Sequence, residues 1–179
     1  MKKLLTRLLP AAVIVIALGL GGCATDPEIY AGEKPEFRIE KYFAGETRAW
    51  GIVQDRSGEV LRRFTVDMVG EWDGDVFVLK EDFIYDDGET DYREWRITPV
   101  GEHGYEGRAA DVNGVATGEA YGNALNWQYS LQVPVDGDTW NFWFNDWMYL
   151  HEDDVLVNRA EFSKFGFTVG EITLFFKKP

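Results

Sequence analysis

From Asn123 to Val135 the chain reads NALNWQYSLQVPV. Leu125, Trp127, Tyr129, Leu131, Val133 and Val135 fall on one parity, and Asn126, Gln128, Ser130 and Gln132 on the other. Successive side chains of an extended backbone point to opposite faces, so this pattern describes a strand with one apolar and one wet face. The same period runs through RRFTVDMVGEW, where Phe64, Val66, Met68 and Trp72 oppose Arg63, Thr65, Asp67 and Glu71. In DTWNFWFNDWMYL both parities are apolar, with Trp140, Phe142, Phe144 and Met148 on one and Trp143, Trp147 and Tyr149 on the other. That predicts a strand covered on both faces.

The breaks between such runs read RSGE, WDGD, DDGE, VGEHG, VNG, YGN, VDGD and HEDD. Gly, Asp and Asn there supply the positive φ or the local side-chain bonds that tight turns need. Turns this short cannot make parallel crossovers, so the sheet is antiparallel and meandering. The expectation is an all-β fold of roughly nine or ten strands. Closing it into an up-and-down barrel removes the exposed edges; a two-sheet sandwich is the alternative. A membrane-spanning barrel fits less well, because its strands need an apolar lipid-facing band. Ahead of the strands, FRIEKYFAG places Ile39, Tyr42 and Phe43 on one face of a short helical turn, with Gly45 as its C-cap.

The amino terminus carries a different message. Lys2, Lys3 and Arg7 precede an apolar run from Leu8 to Leu20, and Leu20-Gly21-Gly22-Cys23 follows. A basic start and an apolar run too short for a membrane span describe a secretory signal. The small residues before the cysteine resemble the bacterial lipobox. That resemblance implies cleavage before Cys23 and diacylation of its thiol, giving a signal peptide over 1–22, a lipidated polar linker over 23–35 and one barrel domain over 36–179. Two or more acyl chains anchor a protein stably. Ala24 after the cysteine, by resemblance to enterobacterial sorting, favours the periplasmic face of the outer membrane.

The formal net charge is −13, and three of the 18 basic side chains lie upstream of Cys23, so the remainder is more acidic still. Such a surface disfavours a nucleic-acid partner, which needs a basic patch. Cys23 is the sole cysteine, and His103 and His151 are the only histidines, so no zinc-type cluster is expected. His151 to Asp154 reads as a solvated turn rather than a calcium site. No cofactor is expected, and no nucleophile lies next to either histidine in sequence.

Polar residues on otherwise apolar parities are the candidate site. Arg93 shares a face with Trp95 and Ile97, Asp111 follows Ala109, Asp146 lies in line with Phe142, Phe144 and Met148, and Asn158 with Leu156, Ala160 and Phe162. If these faces point inward, a buried charge requires a partner, and Arg93 could pair with Asp111 or Asp146. As a member of such a pair, Asp146 replaced by Ala is expected to destabilise the fold by several kcal/mol. Trp50, Trp127, Tyr129 and Met148 complete the candidate lining. Each of these residues also has a plain reading as core packing or a structural ion pair.

The pieces AWGIVQDRSG, DFIYDDGE, NALNWQYSL, NDWMYL and VNRAEFSKFGFTVGEITLFF resemble a bacterial lipoprotein family, domain-of-unknown-function family 3833. In that pattern two acids precede the Trp-Met pair; here Asn145 stands at the first position and Asp146 at the second. The family implies a lipoprotein and brings no mechanism. YFAG followed by Trp50 is also similar, at the level of fold, to the start of lipocalins. The functional expectation is a non-enzymatic, lipid-anchored barrel holding a small apolar or amphipathic, lipid-like molecule. The alternative is a structural or assembly lipoprotein that engages an envelope protein through its outer surface.

Overall fold

The computed structural model describes residues 25–135 and 137–179; Cys23 and the segment before it lie outside the described residues. Ten strands follow one another: β1 (Gly45–Asp55), β2 (Val60–Asp73), β3 (Val76–Tyr85), β4 (Thr90–Val100), β5 (Gly104–Arg108), β6 (Ala116–Tyr121), β7 (Ala124–Val135), β8 (Asp138–Leu150), β9 (Leu156–Lys164) and β10 (Phe167–Lys177). Each pairs antiparallel with its neighbours in sequence, and β10 pairs back onto β1 to close a barrel. Lipocalin barrels close with eight strands.

The turns explain the meander. Gly58, Gly74, Gly88, Gly101, Gly114, Gly122 and Gly137, one in each break from RSGE to VDGD, all have positive φ. The β9–β10 hairpin turns on Phe165 and Gly166, both also at positive φ. A Phe there has none of the local bonding that makes Asn or Asp comfortable in this region. Its side chain is 88 % exposed.

One short helix, α1 (Ile39–Tyr42), closes the end of the barrel that carries the β8–β9 turn. Ile39, Tyr42 and Phe43 are buried as the sequence predicts, and Phe43 meets Phe176 edge-on at 5.6 Å. The Tyr42 hydroxyl donates to the Asp154 carbonyl at 2.9 Å, and the Tyr105 hydroxyl to Glu40 at 3.0 Å. The C-cap is Phe43, not Gly45, which opens β1 with φ of 73°.

Three further expectations change. The polar linker is docked: Pro27–Tyr30 form a 3-10 turn on the outer wall, and Tyr30 packs on Trp147 and Tyr149 at 5.9 and 5.5 Å. This turn covers the outer face of β8 only at that end. Trp143 further along is 49 % exposed, so β8 is not covered on both sides throughout. Trp72 has the inward parity but lies where β2 runs out at its turn, half exposed and edge-on to Phe77.

Inward glycines make room for rings. A Cβ on Gly107 of β5 would come within 2.6 Å of the Trp127 ring, and one on Gly118 of β6 closer still. Gly118→Ala is therefore expected to displace Trp127 and cost about 1–3 kcal/mol. Urea unfolding with near-UV circular dichroism checks this; an unchanged midpoint and aromatic spectrum would refute it.

Candidate functional site

The barrel interior is filled at one level and hollow at another. Tyr129, Phe144, Phe162 and Phe142 form a ladder of rings, with successive centroids 5.1, 5.5 and 6.0 Å apart. Between the α1 plug and the level of Phe64 and Phe83 lies a cavity of about 120 Å³. Most of its wall is apolar, which follows from the alternation: the dry parity of every long strand faces inward. Into this wall project Glu81, Arg93, Tyr129, Asp146 and Asn158.

Antiparallel register places the first two. Glu81 of β3 lies directly opposite Arg93 of β4, with a closest N–O distance of 3.8 Å. Arg93 also makes a two-nitrogen bond to Asp111 in the β5–β6 connection, Nε and Nη2 donating to Oδ2 at 2.9 and 2.7 Å. The Arg93–Asp111 pair is thus one of the two pairings the sequence left open; Asp146 is not the partner. Burial works against the Arg93 charge, but Glu81, Tyr129 and Asp111 outweigh it, and its pKa rises. Glu81 is pushed up to about 7, chiefly by burial and only partly offset by Arg93.

Asp146 of β8 sits opposite Trp127 of β7 and is only 6 % exposed. The Tyr129 hydroxyl donates to its Oδ2 over a long 3.4 Å. Its Oδ1 has no hydrogen-bond partner among the described residues. Burial pushes its carboxyl up to about 7, with Tyr129 and Arg93 pulling the other way. The Tyr129 hydroxyl is itself raised far above its ordinary value, first by burial and then by Asp146. Asn158 of β9 is 2 % exposed, with Nδ2 donating to the Trp147 carbonyl at 3.3 Å, and Met148 stands directly opposite it.

The structure therefore brings Arg93, Trp127, Tyr129, Asp146, Met148 and Asn158 to one cavity, and joins Asp111 to it through Arg93. It does not bring Trp50. That side chain has the outward parity of β1, is 46 % exposed, and belongs to the outer wall; Ala49 beside it points in. Glu81 was missed. Its signal was present: in VFVLKEDFIY it shares a parity with Phe77, Leu79, Phe83 and Tyr85. The Asn145-Asp146 pair does not act on one face. Asn145 points outward and accepts from Asn126 Nδ2 at 2.7 Å, so adjacent acids here would face opposite sides of the wall.

The protein is thus a closed ten-stranded up-and-down barrel with a mostly apolar cavity and a buried polar cluster. No curated protein matches the sequence. The chain belongs to the family described as protein of unknown function (DUF3833), which it matches over residues 17–178.

Proposed function

We propose that this protein is a lipid-anchored binding module of the bacterial envelope, whose barrel holds a small amphipathic molecule and carries out no chemistry on it. The observation that carries the reading is the cavity itself. It is apolar over most of its wall, yet a buried carboxylate with an unsatisfied oxygen opens onto it. Close-packed cores hold few voids larger than a water, and an unsatisfied buried acceptor facing one calls for an explanation.

The volume bounds the occupant. An apolar cavity of about 150 Å³ takes a molecule the size of benzene. A cavity of about 120 Å³ suits one ring or a short chain segment. The anchor and the outer-membrane address rest on the segment around Cys23. The family match begins at residue 17 and so includes this segment. Among the described residues no helix is long and apolar enough to cross a membrane.

Native mass spectrometry of the protein purified from membranes, with organic extraction, tests both parts. The expected mass begins at Cys23 with acyl groups attached, and a discrete small molecule comes off on denaturation. An extract matching an empty control would sink the ligand. Weight would then pass to an envelope partner, which a specific feature favours. Ile84, Thr65, Trp50 and Phe175 form a transverse row across the outer faces of β3, β2, β1 and β10, and all but Thr65 are exposed large apolar side chains.

A further inference from the structure

The binding reading leaves the head group of the occupant open, and the polar cluster constrains it. One aromatic side chain reaches Asp146 directly, and two more stand behind it. Trp127 is its partner across the β7–β8 ladder, and Tyr129 reaches its Oδ2. Trp95 stands nearly perpendicular to both rings, with centroids 5.5 Å from Trp127 and 5.4 Å from Tyr129. A buried carboxylate with an unpartnered oxygen on an apolar cavity is a counter-charge for a desolvated ammonium group.

The charge balance agrees. Arg93 is matched by its two-nitrogen bond to Asp111, with Glu81 at its other side. Asp146 has no salt-bridge partner among the described residues and an oxygen with no hydrogen-bond partner among them. If it ionises, the cluster carries an excess negative charge that a proton or an incoming cation cancels. An anionic head group would be repelled by the same excess. It would also have to displace Asp111 from Arg93.

We infer that the barrel takes a cationic amphiphile, an amine or quaternary ammonium on a short apolar body, with its head group against the unpartnered oxygen of Asp146, beside Tyr129. This rests on the proposal that the cavity binds a small molecule at all. The strongly acidic surface would draw such a cation toward the barrel from solution. The titratable and charged groups around Asp146 are Glu81 from β3, Arg93 from β4, Asp111 from the β5–β6 connection and Tyr129 from β7; Asn158 of β9 is neutral. Binding of a permanent cation therefore expels the proton that Asp146 holds in slightly acid solution, and affinity rises from pH 5 to pH 8.

The test is calorimetric titration of the full chain in a maltoside detergent with butylammonium, butanol and butanoate, which match the cavity and one another in size, each against micelles alone. The cation is expected to bind on the order of tenfold tighter than the alcohol, and the carboxylate weakest. Asp146→Asn should remove the cation's advantage while leaving the alcohol within about threefold, and should keep the near-UV spectrum of the folded barrel. Butanol or butanoate binding as tightly as the cation, or a cation affinity untouched by Asp146→Asn, would overturn the head-group assignment and leave the cavity reading standing. If none of the three binds, and organic extracts are also empty, the cavity reading falls and this inference with it.

Discussion

Asp146→Asn should make the ligand-free protein more stable at pH 8 and leave it nearly unchanged near pH 4. The carboxyl of Asp146 sits at about 7 in the barrel against an ordinary 3.8. The native state therefore keeps a proton, between about pH 4 and 7, that the unfolded chain gives up. Stability from this group is greatest below the unfolded value, declines as pH rises toward 7, and stays at its lower level above that. Three units correspond to about 4 kcal/mol at most, so a gain on the order of 2–4 kcal/mol at pH 8 is expected for the neutral amide. Glu81, also held at about 7, leaves a residual slope of the same sign in the variant. Urea unfolding of both proteins at pH 5 and pH 8 decides it; a variant whose stability tracks the wild type at both values would show that Asp146 is ionised and satisfied. This reverses the expectation for Asp146 as a pair member, because the pair formed without it.

Arg93→Met should do the opposite. The methionine fills much of the same volume but leaves Asp111 and Glu81 without their cation. Breaking a buried pair from one side costs about 3–5 kcal/mol, because the surviving charge stays in a poor dielectric. The loss should be larger at pH 8 than at pH 5, where Glu81 carries its proton and only Asp111 is stranded. Arg93→Lys should recover little, since an ammonium cannot reproduce the two-nitrogen grip on Asp111. Equal unfolding midpoints for wild type and Arg93→Met at pH 8 would mean that the ion pair contributes nothing net. That would also remove the reason for treating Asp146 as the cluster's unmatched charge.

Much of the barrel was legible because its information is local. Side-chain parity along β2 and β7 follows from backbone geometry alone, and so does the requirement for a glycine at each positive-φ turn. The β9–β10 turn escaped because Phe165 occupies a conformation for which its side chain gives no warning. Trp72 and Trp143 were misplaced for a different reason. Parity says which way a side chain points, but not whether anything lies over it. Trp72 passes the barrel's rim, and the docked Tyr30 turn covers Trp147 and Tyr149 without reaching Trp143.

The site divides along the same line. Inward polar residues on β4, β8 and β9 were visible as interruptions of an apolar parity, and Arg93, Asp146 and Asn158 are where that rule puts them. Trp50 shows its limit: one step along β1 carries a side chain from the cavity to solvent. Which charge meets which was not in the sequence at all. Arg93 had two acids within reach of the argument, and a third, Glu81, was made its neighbour by the β3–β4 register. The alternation and turn residues determined an antiparallel all-β meander, because both act over a few residues. Closure of β10 on β1, the pairing of Arg93 with Asp111, and the stranding of Asp146 beside a cavity were decided only in three dimensions. Each depends on groups distant in the chain and on which of them water can still reach.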